Sequence, residues 1–377
     1  MSLMAQLNER ALRDGVPLSV HLDITYRCNE RCEHCYLEHH GRDELSTAEI
    51  RTLLEQLADA GVFFLTISGG EPLVRSDCFE IIMHARSLGF NVKLKTNALL
   101  IRQAEAGRLR ELNVEQVQIS VYSHRPEIHD AITKVPGSLR RTLAAIRRLR
   151  SQGLKVTIAN VLMKSNHHDS EGVRLLAQEL GAHYTLDPTI TPMMNGHTGV
   201  LELRVSSTEL RSVFNNSNLV GEVADFCAPP PPVDDGVLDG YSCSAGHTSC
   251  YITPQGDVYP CVQFPLPCGN VRRKPFAAIW KNSPQLSEVR SIRGRDLPTC
   301  SSCHHLGACT RCPGLAFMEG NMRGPSSVDC EKSFARTGIP SANMIAKTLL
   351  SSSHDRTSIP MVEPSSFSSL VQITTRI

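Results

Sequence analysis

Strand-length apolar runs alternate with amphipathic helical stretches about six times between Ser19 and Leu186, and this alternation narrows the possible folds more than any other feature of the chain. The run Ser19-Val20-His21-Leu22-Asp23-Ile24-Thr25 switches between apolar and polar side chains and carries β-branched residues, the pattern of a strand. Ser46-Thr47-Ala48-Glu49 is a capping box that opens a helix with apolar positions at Ile50, Leu53, Leu54 and Leu57, stopped by Gly61. Residues 62–67 form a continuous apolar run, as expected of a strand buried on both faces. Further strands are expected over 91–95, 116–121, 155–162 and 183–186, and helices over 77–88, 103–112, from 138 and over 171–180. Strands joined by crossover helices pair in parallel with the helices outside, giving an α/β fold. Periodicity leaves open whether such a sheet closes.

The C-terminal ends of parallel strands share one mouth, which is where ligands sit. Here those ends carry Cys28 to Cys35, Gly69-Gly70-Glu71, Thr96-Asn97, Ser120 and Asn160, and five such ends point to a large ligand. The loop Cys28-Asn29-Glu30-Arg31-Cys32-Glu33-His34-Cys35 holds three thiols, and the next cysteine is the distant Cys78. Thiolates select zinc or iron–sulfur clusters. Zinc sites usually answer one cysteine pair with a second, and a [4Fe–4S] cube normally takes four thiolates. Three alone would leave one iron open to an outside ligand. Spacing leaves three readings: a reactive cluster, a zinc site with a borrowed ligand, or inert packing.

At 377 residues the chain suits two domains or a barrel with an appendage. A net charge of +1 gives no electrostatic case for nucleic acid or an anionic membrane. No apolar stretch has membrane-spanning length and residues 1–15 hold no signal-peptide core, so a cytoplasmic protein is expected. Fourteen cysteines in a reducing compartment then point to metal or cluster ligation. Cys78, inside an expected helix, reads as a small core residue. The arginines at 140, 141, 147, 148 and 150 read as a solvated helix face, and the pairs His39-His40, His167-His168 and His304-His305 as loop residues. Of these, His304-His305 lies among the later cysteines and could hydrogen-bond cluster sulfur. The organisation expected is a core over 16–190, a connecting segment over 191–240, a cysteine-rich domain over 241–335 and a Ser-rich tail over 340–377.

The C-x3-C-x2-C loop after a first strand, followed one βα unit later by Gly69-Gly70-Glu71-Pro72, resembles the radical S-adenosylmethionine (radical SAM) superfamily. The resemblance implies a partial (β/α)6 TIM-like barrel in which Cys28, Cys32 and Cys35 hold a [4Fe–4S] cluster and SAM chelates the open iron. It assigns Gly69, Gly70 and Glu71 to the SAM amino group, Ser120 and Asn160 to its ribose and carboxylate, and adds Tyr36 as a cofactor contact. The second half, with Cys243, Gly256 and Cys261 in a C-x12-G-x4-C arrangement, resembles the SPASM extension, which usually carries two auxiliary clusters. That pattern implies Cys300, Cys303, Cys309 and Cys330 for the distal cluster and Cys243, Cys261 and Cys312 for the nearer one, with Cys250 or, second, Cys268 as its fourth ligand. Residues 251–261 read as a β-hairpin that delivers Cys261.

The family resemblance further implies a peptide or protein substrate and an external one-electron reductant of flavodoxin or ferredoxin type. The short stretch before the first strand leads us to expect a separate small peptide-recognition carrier. Sulfatase-maturing relatives carry aspartate after the cysteine matching Cys261, where Val262 stands here. Haem or cofactor biosynthesis is the alternative enzymatic reading, and a zinc-binding or electron-carrying cysteine-rich protein the non-enzymatic one.

Overall fold

The computed structural model describes residues 3–353. One sheet organises the chain, with strands β1 (Ser19–Asp23), β2 (Phe64–Ser68), β3 (Asn91–Thr96), β4 (Gln116–Ser120), β5 (Val156–Val161), β6 (His183–Asp187), β7 (Ser249–Ile252), β8 (Asp257–Tyr259) and β9 (Gly269–Asn270). Their order is β6-β5-β4-β3-β2-β1-β7-β8-β9. The first six pair in parallel, as the alternation predicts, and β7 pairs in parallel with the free side of β1. The hairpin expected over 251–261 is the antiparallel pair β7–β8, with Tyr251 opposite Tyr259. Among the described residues no strand joins β6 to β9, so the barrel is partial.

Helices α2 (Thr47–Asp59), α3 (Cys78–Ser87), α4 (Gln103–Glu111), α6 (Ser138–Ser151) and α7 (Ser170–Glu179) cover the outer face, while α1 (Leu3–Asp14) precedes β1 and the end of α5 (Pro126–Thr133) accepts hydrogen bonds from the cysteine loop. Ser46 and Glu49 form the capping box that starts α2. Register aligns Leu22, Ile67, Leu94, Val117 and Val156 in one row across five strands, and all five are fully buried. That row packs on Leu53, Leu57, Ile81, Leu109 and Ile146 from the helices, each worth about 1.5–3 kcal/mol of burial. Cys78 is fully buried in the same core. The opposite row is polar, with Lys95 beside Gln118 and Gln118 beside Thr157.

That polar row corrects the expectation for residues 62–67. Phe64 and Thr66 are only partly buried, because the inner face of an unclosed barrel borders a cavity. Helix α5 was not expected, since eight residues show too little periodicity to register. The stretch over 191–240 is more than connection. Ser206 and Glu209 make a capping box for α8 (Ser207–Phe214), whose Leu210, Val213 and Phe214 pack against Leu162 and Ala335. The Ser-rich tail begins as the helix Ala342–Ser353, and its remainder lies outside the described residues.

Candidate active site

The mouth of the sheet is a cavity of about 600 Å³ lined by Cys28, Cys32, Cys35, Tyr36, Gly69, Gly70, Thr96, Asn97, Ser120 and Asn160, so the strand ends picked out by sequence do converge. Each thiol has neighbours that fix it. The Glu30 amide donates to Cys28 Sγ at 3.4 Å, Asn97 Nδ2 lies 3.8 Å from the same sulfur, and the Tyr122 hydroxyl is 3.9 Å from Cys32 Sγ. His39 Nε2 stands 3.1 Å from Cys35 Sγ. That position corrects the reading of His39 as a solvated loop residue: it lines the cavity. Burial pushes the Cys28 thiol up to about 12 and raises Cys32 and Cys35 in the same direction. Three half-buried thiols with raised pKa values become thiolates readily only against a strong positive charge, which cluster iron provides. Among the described residues, no three or more His, Cys, Asp or Glu side chains are grouped to hold a single metal ion. The thiols instead stand apart around a cavity, an arrangement that fits a multi-iron body.

The glycine pair works first as a packing device. Gly70 N donates to Thr25 O at 2.8 Å and Glu71 N to Arg27 O at 2.9 Å, pinning the end of β2 to the chain entering the cysteine loop. A Cβ on Gly70 would lie 2.5 Å from Arg27 O, and one on Gly69 would overlap Thr25 O. Glu71 is placed differently from expectation. It is fully buried outside the cavity lining, and its carboxylate accepts from Leu73 N at 3.0 Å, Thr96 Oγ1 at 2.8 Å and Asn97 N at 2.7 Å. Its direct contact is therefore with the Thr96-Asn97 strand end, and through Asn97 with the cysteine loop, where Asn97 Nδ2 donates to Asn29 Oδ1 at 2.6 Å. Asn160 borders the cavity, but its side chain donates to Val121 O at 2.9 Å and Tyr122 O at 3.1 Å and accepts from the Tyr184 hydroxyl at 3.1 Å.

Sequence reasoning passed over a buried polar cluster that adjoins the cavity at His21. Asp23, fully buried, accepts from the Tyr251 hydroxyl at 2.7 Å and lies 3.1 Å from His21 Nε2, and the Tyr26 and Tyr251 hydroxyls are 2.8 Å apart. Burial, and then the nearby Lys95 cation, lower the His21 pKa. Lys95 faces the same cavity, and its ammonium makes no hydrogen bond or ion pair among the described residues. Polar and titratable residues at the inward positions of β1 and β3 were the available signal.

In the second half, Cys300, Cys303, Cys309 and Cys330 line one small cavity, the four that the cysteine pattern groups as distal. Burial raises the Cys243 and Cys312 pKa values, with Cys312 and Cys261 adding to the first and Cys261 to the second, so these three thiols lie near one another. Cys250 is close enough to Cys261 to feel its charge, but it packs elsewhere. It is 3% exposed on the core-facing side of β7, opposite Val20 of β1, and packs with Cys268 in the main hydrophobic core. Both candidates for the nearer fourth ligand are thus core residues in this structure. His305 Nε2 donates to Ile339 O at 2.9 Å, while its buried Nδ1 has no hydrogen-bond partner among the described residues and the ring lines the cavity of the four cysteines.

Residues 22–176 match the family described as Radical SAM superfamily, and residues 243–304 match one described as Iron-sulfur cluster-binding domain, SPASM. The chain is 31% identical over 326 residues to the mycofactocin maturase MftC of Mycobacterium tuberculosis, covering 83% of this chain and 82% of that one. It is 28% identical over 346 residues to the AdoMet-dependent heme synthase of Nitratidesulfovibrio vulgaris, covering 84% and 92%. In fold it resembles Streptococcus suis SuiB, solved bound to the precursor peptide SuiA, with a TM-score of 0.69 at 19% identity over 87% of this chain and 80% of that one.

Proposed function

The chain belongs to the radical SAM superfamily and carries its SPASM iron–sulfur extension, and from that premise we propose that it modifies a side chain of a ribosomally made peptide or protein held in the strand-end cavity. Its cofactors are [4Fe–4S] clusters and S-adenosylmethionine. When bound, they supply a 5′-deoxyadenosyl radical that takes a hydrogen atom from the substrate.

The observation that carries this reading is the convergence of three separated thiols, two glycines and the polar ends of β3, β4 and β5 on one cavity. We assign Cys28, Cys32 and Cys35 to the cluster. Gly69, Gly70, Ser120 and Tyr36 border SAM, while Glu71 and Asn160 act indirectly by fixing the backbone around it. Below them, His21, Lys95, Gln118 and Asp187 form a polar floor for the substrate. The Lys95 ammonium in that floor, near Asp23 and Asp187 but hydrogen-bonded to neither, suits a substrate that brings a carboxylate. The likeness to MftC and the shared fold with peptide-bound SuiB support a peptide. A separate peptide carrier and a flavodoxin- or ferredoxin-type reductant complete the proposal. The likeness to heme synthase supports a second reading, in which a carboxylate-bearing tetrapyrrole occupies the same floor.

Anaerobic reconstitution with iron and sulfide, reduction, and assay for 5′-deoxyadenosine test the radical chemistry. Intact SAM after reduction would end it. Mass spectrometry of small peptides encoded beside the gene, incubated with the enzyme and compared with a tetrapyrrole incubation, decides between the two substrates.

A further inference from the structure

Arg311 is a charged side chain buried at 4% exposure, between Cys309 and Cys312 in sequence. Its guanidinium is anchored on one side by backbone carbonyls: Nε donates to Gly324 O at 3.0 Å, and Nη2 donates to Gly324 O at 2.6 Å and to Met322 O. The third nitrogen, Nη1, is buried with no hydrogen-bond partner among the described residues. Arg311 lines the cavity formed by Cys300, Cys303, Cys309 and Cys330 and stands against the Cys300 thiol. A buried N–H without an acceptor is costly, so its place in a thiol-lined cavity needs a reason.

Arg311 is the one arginine or lysine among the described residues that line this cavity. Asp329 is held by Lys332 at 2.6 Å and by the Cys312 amide at 2.8 Å. Arg336 donates Nη2 to Ala308 O at 2.9 Å and lies outside the cavity lining, and His305 Nε2 donates to Ile339 O at 2.9 Å, with Arg336 Nε and His305 Nδ1 also buried without a partner among the described residues. Reducing a four-thiolate cluster adds one negative charge in a site of low dielectric. A fixed cation and an N–H aimed at sulfur both favour the reduced form.

We propose that Arg311 raises the reduction potential of the distal cluster. The proposal rests on the assignment of Cys300, Cys303, Cys309 and Cys330 to that cluster. Arg311 is a positioning and tuning residue, because it lines the cavity of the assigned ligand thiols and touches no reacting atom.

The test is an EPR-monitored redox titration of the fully reconstituted enzyme, with the distal signal identified as the one lost in Cys300→Ala. Arg311→Gln keeps an amide donor for the Gly324 carbonyl and removes the charge. Its distal cluster should become at least tenfold harder to reduce, a downward shift of about 59 mV for a one-electron couple. Arg311→Lys keeps the charge and should recover most of that shift. An unchanged potential in Arg311→Gln, equal shifts in both variants, or loss of the distal cluster from Arg311→Gln overturns the proposal. If Cys300→Ala removes no signal, the ligand assignment itself fails and the proposal with it. That outcome is distinct from a titration in which the signal is assigned but does not move.

Discussion

Cys32 and Gly70 carry different burdens at the same mouth, and substitution separates them. Cys32→Ala removes a proposed cluster ligand from a loop with no spare thiol. Iron should fall by about four atoms per chain, and 5′-deoxyadenosine formation should drop below detection, with the fold retained by circular dichroism. Gly70→Ala removes no ligand and forces a methyl group against the Arg27 carbonyl. It should destabilise the protein by roughly 1–3 kcal/mol in urea unfolding, with iron loading falling as the cysteine loop shifts. Were Gly70→Ala to lower SAM affinity without changing stability, the packing role would be wrong and ligand approach would be the main function of that glycine. At this scale the sequence disclosed which residue types were needed. It did not disclose direction: Glu71 turns toward Thr96, and Cys250 faces the core, because strand register and neighbouring strand ends decide where a side chain points.

Among the elements, the six parallel strands and their crossover helices were legible from hydrophobic period alone, and the capping box of α2 marked its start to the residue. The failures are short or locally ambiguous. Helix α8 carries the same Ser-x-x-Glu box as α2 but spans eight residues in a stretch rich in proline and polar residues. Helix α5 begins at Pro126, where proline suits the first turn, and its buried His129 has no apolar signature. His129 is 1% exposed, stacks on Tyr122 and accepts from the Tyr122 amide at 3.2 Å through Nδ1. Burial lowers its pKa from 6.5 to about 4. The neutral ring is the folded form, so its contribution is present above pH 6.5 and is lost as pH falls through 4. Wild-type stability should therefore drop across that window by on the order of 2–3 kcal/mol beyond the drop in His129→Gln, read from urea midpoints at a series of pH values. Parallel curves for the two proteins would refute this.

Across the whole molecule, regular structure and cysteine density run in opposite directions. Between the short turn Gly294–Asp296 and the helix Pro313–Met318, which bracket four of the cysteines, no helix or strand is present. Such a segment leans on its metal for order. Chelating the iron under air should open it to limited proteolysis within residues 297–312, while β1 to β6 resist, as mapped by mass spectrometry. Equal resistance with and without iron would mean that the loop stands unaided. The number of strands was also beyond the sequence reading, because β7 joins β1 across more than two hundred residues and no local period announces such a pairing.

That pairing has a practical corollary. A truncation ending before Ser249 would strip β1 of its neighbour and leave a bare row of amides and carbonyls along the strand that feeds the first cysteine loop. The fragment would be sticky, and it would be sticky beside its own reaction centre. Grafting the cysteine-rich half onto another barrel, or swapping it between relatives, therefore means transplanting a seam as well as a cassette.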